Sequence, residues 1–134
     1  YLHLGNHEQA AIYFIDALGM NKRLLGEEHP HVALMINNLA STYLAQGDYE
    51  QAVTHFTDAL DMNKRLLGEE HPEIALILNN LGTTYHLQGK YNKAEIFLSE
   101  SVDMAKLLLG EEHPQVFLFN KVAELNNQSI INSI

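Results

Sequence analysis

The chain has 134 residues, enough for one domain with its own core, and about half of them are hydrophobic. Eight Lys and Arg against seventeen Asp and Glu leave a formal charge of −9, which repels phosphate backbones and anionic lipids and excludes nucleic acid and membranes as partners. The absence of cysteine removes disulfides, thiolate nucleophiles and cysteine-based metal sites, and it suits a reducing, cytoplasmic setting.

Charges and amides break every apolar run before it reaches membrane-spanning length. No charged-then-apolar leader opens the sequence, and no initiator Met precedes Tyr1. Tyr1 also falls in the middle of a repeating pattern, so the chain reads as part of a longer polypeptide. The pattern is explicit: the segment Asn21 to Pro30, NKRLLGEEHP, recurs unchanged from Asn63 to Pro72, and AKLLLGEEHP follows from Ala105 to Pro114. Tyr1, Tyr43 and Tyr85 keep the same 42-residue step, as do Gly5, Gly47 and Gly89, and Ala10, Ala52 and Ala94.

Taken in chain order, Gly5 marks a turn that ends a truncated first helix, and a second helix is predicted over about 6–25. A helical hairpin over about 30–67 follows. Its first helix opens at Pro30, where a missing N–H costs nothing, and Ile36, Leu39, Ala40 and Tyr43 fall on one buried face. Gln46-Gly47-Asp48 supplies the turn. The second helix buries Tyr49, Ala52, Val53, Phe56, Ala59 and Leu60, carries Lys64 and Arg65 in its last turn, and stops at Gly68. Asp61 and Arg65 stand four apart as a helical ion pair.

A second hairpin over about 72–109 repeats this with Leu78, Leu81, Gly82 and Tyr85, turning at Gln88-Gly89-Lys90. A last helix starts at Pro114. There Asn120 replaces the buried Ile36 and Leu78, and the uncharged tail from Asn126 to Ile134 matches no further unit, so a terminal cap with a ragged end is expected. The expected domain is single, 1-134: a partial unit 1-26, repeats of about 27-68 and 69-110, and a terminal helix and tail 111-134.

Ile36-x-x-Leu39-Ala40-x-x-Tyr43 followed by Ala52-x-x-x-Phe56 resembles the tetratricopeptide repeat, with Ile in place of the usual Trp. The 42-residue unit with LGEEHP and ALxxxNNLA/G looks like the kinesin-light-chain subtype. The resemblance covers residues 1 to about 125. It implies an all-α fold, an antiparallel helix-hairpin solenoid wound as a right-handed superhelix, and a protein-binding function within a larger scaffold or signalling protein.

Opposite the buried face, the first helix of one hairpin carries Leu34, Asn37, Asn38, Ser41 and Ala45, and that of the next carries Leu76, Asn79, Asn80, Thr83 and Leu87. The last helix adds Leu118, Lys121, Val122 and Leu125. A merely solvated helix face would normally be charged, and this one holds a single charge. The resemblance implies that this face lines a concave groove for an extended peptide. An asparagine amide suits such a site because it can donate to a peptide carbonyl and accept from its N–H. One Asn of each pair tying neighbouring helices together is the alternative. The kinesin-light-chain likeness implies acidic, aromatic-containing ligands, which need basic groove residues. Only Lys121 and His86 are candidates, so a neutral, apolar or mildly basic segment is the expected partner.

No metal, cofactor or catalytic centre is expected. His29, His71 and His113 occur once per repeat, and stacked helices about 10 Å apart cannot bring two such side chains to one zinc ion. His3 and His7 are separated by the expected turn at Gly5. Glu27 and Glu28 are adjacent loop acids without the burial that sets paired carboxyls apart. Ser41 and Ser99 lack His–Asp partners, and Met20, Met62 and Met104 read as core filler. The function alternative to peptide binding is a structural spacer that self-associates end to end through its terminal helices.

Overall fold

The computed structural model describes residues 2–134, with side chains from residue 8 onward. Six helices follow one another: α1 (Leu2–Leu25), α2 (Pro30–Gln46), α3 (Tyr49–Leu67), α4 (Pro72–Leu87), α5 (Tyr91–Leu109) and α6 (Pro114–Asn132). Among the described residues there is no strand, so the fold is all-α. The chain divides into two compact units, Tyr1–Leu66 and Leu67–Ile134.

The helix starts are set by one device used three times. His29, His71 and His113 are the N-caps of α2, α4 and α6, each followed by proline in the first turn. The backbone N–H groups of His31, Glu73 and Gln115 donate to the Nδ1 atoms of these rings at 3.0, 3.1 and 3.1 Å. Each ring thus satisfies a helix-end donor that has no partner within the helix. Helix ends are set by glycine: Gly47 and Gly89 sit at φ 81° and 79°, a left-handed conformation that other residues adopt at a cost.

In the first unit α1 packs on α2. Val32, Ala33, Met35, Ile36, Leu39 and Ala40 are buried on α2, as are Ala52, Phe56, Ala59 and Leu60 on α3. The Tyr43 ring of α2 lies 5.2 Å from the His55 ring of α3. In the second unit α5 packs against both α4 and α6. Gly82 on α4 and Leu98 on α5 approach so closely that a Cβ at residue 82 would stand 2.5 Å from Leu98 Cγ. Tyr85 stacks on Phe97 at 5.4 Å. On the other side of α5, Val102 and Ala105 meet Val116 and Phe119 of α6, together with Ala75 of α4. Fully burying a side chain of the size of Leu98 or Phe56 contributes roughly 1.5–3 kcal/mol.

Four expectations change. The turn at Gly5 does not occur: α1 runs unbroken from Leu2 to Leu25. Glycine permits a turn without requiring one, and here the helix propagates through it at a cost of about 1 kcal/mol. The tail is not ragged, because α6 continues to Asn132. Arg65 does not pair with Asp61; its Nε donates to Glu28 Oε1 at 2.7 Å. Met20 is not core filler: it is 55% exposed, whereas Met62 is buried. The expected roles of Tyr1, and of the His3 and His7 side chains, lie outside the described residues.

Candidate functional site

On α2, Leu34 and Ser41 are exposed, Asn38 is half-buried and Asn37 is buried. On α4, Leu76, Asn79, Asn80 and Thr83 are half-buried and Leu87 is exposed. On α6, Leu118, Lys121 and Leu125 are exposed. Each unit therefore presents leucines and amides, and Lys121 is the one charge on the face. Lys121 is held beside apolar surface, with its Nζ 5.2 Å from the centre of the Phe117 ring. Thr42 and Thr84 donate their hydroxyls to the Asn38 and Asn80 carbonyls at 3.0 and 2.8 Å, occupying both threonine side chains within their own helices.

The asparagines divide into two classes. Asn38 and Asn80 carry partly open amides. Asn37 and Asn79 each hold an Oδ1 that is shut off from solvent and accepts no hydrogen bond. The same unmet acceptor recurs one 42-residue step later, and Gln88 Oε1 and Glu95 Oε1 are unmet as well. A buried acceptor without a donor costs about 1–3 kcal/mol, so its repetition calls for a physical reason.

Sequence reasoning passed over one residue beside this face. Asn126 is fully buried, and its Oδ1 accepts from Nδ1–H of His86 at 2.9 Å while its Nδ2 donates to the Tyr91 carbonyl at the same distance. It ties α6 to α4 and α5 and fixes the orientation of His86. The clue was the 42-residue step, which puts Asn126 in phase with the buried Thr42 and Thr84.

Among the described residues no group of three His, Asp or Glu side chains is placed to hold a metal ion. No described helix is long and apolar enough to cross a membrane.

A family model for the tetratricopeptide repeat matches residues 1–65 and 31–107. No curated protein sequence matches the chain. Among solved structures, BtubC (BKLC) from P. vanneervenii superposes with a TM-score of 0.86 at 24% identity, over 94% of this chain and 50% of that one. The Podosopora anserina putative kinesin light chain with nearly identical TPR-like repeats gives a TM-score of 0.75 at 22% identity, over 96% of this chain and 61% of that one. A point variant of that same protein gives 0.78 at 22% identity, over 96% and 60%. The chain thus spans about half to three-fifths of the length of these structures, and the likeness at such identities is one of fold.

Proposed function

Because the chain belongs to the tetratricopeptide repeat family, we propose that it is a protein-interaction module that holds an extended segment of a partner on its asparagine-bearing faces. The observation that carries this reading is that each unit presents leucines and amides, with Lys121 as the one charge among them. Asn38 and Asn80 add open amides for the peptide carbonyls, and Leu34, Leu76, Leu87 and Leu118 supply apolar contact. Ser41 and Thr83 flank the amides. With Lys121 as the one charge, the face suits a neutral or apolar segment better than an acidic one.

Repeats of this family ordinarily bind proteins and carry no chemistry of their own, and no enzymatic role is part of this reading. The module would serve within a larger cytoplasmic scaffold or signalling protein. Peptides selected from a random displayed library test it by fluorescence polarisation. The expected result is selection of uncharged, aliphatic-rich peptides that lose at least about tenfold in affinity on the Asn38→Ala/Asn80→Ala variant, a loss of about 1.4 kcal/mol. Selected peptides that bind parent and variant equally, with unchanged helicity, would sink the proposal.

A further inference from the structure

The 42-residue step produces the same acidic surface cleft once in each unit, and the two copies differ at one decisive position. In the first unit Glu28, Asp58 and Asp61 stand around Met62, and Arg65 reaches in. Its Nε donates to Glu28 Oε1 at 2.7 Å. Lys22 lines the same cleft and pairs with Glu27 at 3.8 Å. Four carboxylates of this cleft are therefore offset by two cations of the chain's own.

In the second unit a cleft of about 250 Å³ is lined by Glu70, Glu100, Asp103, Met104 and Leu107. Each lies one 42-residue step after its counterpart: Glu70 after Glu28, Glu100 after Asp58, Asp103 after Asp61, Met104 after Met62. The carboxylates and the methionine are kept. Leu107, however, stands where the first cleft has Arg65. Among the described residues no basic side chain lines this second cleft.

Three carboxylates around one cleft repel each other, and a cation placed among them relieves that repulsion. They are not gathered closely enough to share a metal ion, so the cation that suits them is a broad one. A guanidinium is planar and carries its donors in a fixed fork that matches carboxylate geometry. An ammonium is a compact, more strongly hydrated charge and matches less well. An arginine stem also needs an apolar bed, which the half-buried Met104 and the exposed Leu107 provide. The first cleft shows the arrangement at work, because there a guanidinium of the chain itself sits on Glu28, the residue in phase with Glu70.

We propose that the cleft bounded by Glu70, Glu100 and Asp103 binds an arginine side chain of a partner protein, with the guanidinium on the carboxylates and the stem on Met104 and Leu107. The cleft belongs to the loop before α4 and the C-terminal half of α5 and shares no residue with the asparagine faces. The inference therefore stands whether or not those faces bind peptide. All three carboxylates are exposed, so each ion pair is weak by itself, and one arginine is expected to bind with a dissociation constant on the order of 1 mM.

The probe is acetyl-Gly-Arg-Gly-amide, titrated into the isotope-labelled chain with backbone amide chemical shifts as the readout. Lysine and citrulline analogues serve for comparison, citrulline keeping the shape of arginine without its charge. Saturable shifts are expected around Glu70, Glu100, Asp103 and Leu107, at least about threefold weaker with lysine and absent with citrulline. Leu107→Arg supplies the guanidinium from within the chain and is expected to abolish the shifts. Ile131→Arg makes the same charge change at an exposed position of α6 and is expected to preserve them. The inference is overturned if the shifts spread over the acidic surface without saturating, if lysine or citrulline binds as well as arginine, or if the two variants behave alike. Should Leu107→Arg lose helicity, Glu70→Gln with Asp103→Asn replaces it. Loss of the shifts then supports the inference, and unchanged binding overturns it.

Discussion

At the scale of single residues, the most informative atoms are the two Oδ1 acceptors on Asn37 and Asn79, which are buried without a donor. An apolar residue of similar shape leaves nothing unpaired. The Asn37→Leu/Asn79→Leu variant is therefore expected to be as stable as the parent or up to about 2 kcal/mol more stable in urea. A destabilised variant would mean that these amides already serve the fold. Asn126 behaves oppositely. Asn126→Ala removes the acceptor of His86 Nδ1–H and a hydrogen bond to the Tyr91 carbonyl and leaves a void, so a loss of about 2–4 kcal/mol is expected in the same measurement. From sequence, Asn126 opens a polar tail; its role depends on partners 35 and 40 residues away, which periodicity does not report.

At the scale of helices, most boundaries were legible because proline and glycine act locally. The starts at Pro30, Pro72 and Pro114 and the turns at Gly47 and Gly89 lie where the sequence puts them. Gly5 misled because a glycine in phase is compatible with a continuous helix as well as with a turn. Arg65 misled because Glu28, across the unit, offers better geometry than Asp61 on its own helix. The capping histidines were visible as the residue before each proline, yet their ring acceptors were not. His71→Ala is expected to lower stability by about 1 kcal/mol, read from thermal melts followed by helicity. His71→Asn keeps an acceptor in reach of the Glu73 N–H and is expected to stay near the parental value. Equal losses in both variants would show that the ring does more than cap.

At the scale of the whole chain, a charge of −9 and a nearly uncharged candidate face make opposite forecasts about salt. If partners were drawn by the overall charge, basic peptides would bind and salt would weaken them steeply. Amide and leucine contacts are short-ranged and little screened. Affinity for the selected peptides is therefore expected to change by less than about threefold between about 50 and about 300 mM salt. A steep decline would move the site to an acidic surface. The candidate face itself was legible as a row of uncharged positions at helical spacing. Which amides stand open and which are shut was not, because burial depends on neighbouring helices.

The close approach of Gly82 to Leu98 bears on how so repetitive a chain avoids pairing with itself wrongly. Two nearly interchangeable hairpins invite an exchange in which the first helix of one closes on the second helix of the other. The exchange is disfavoured by size. Ala40 set against Leu98 would bring a methyl group into occupied space, while Gly82 set against Phe56 would forgo contact with a large ring. A single methyl group thus distinguishes correct from swapped partners in segments that otherwise share their recognition residues.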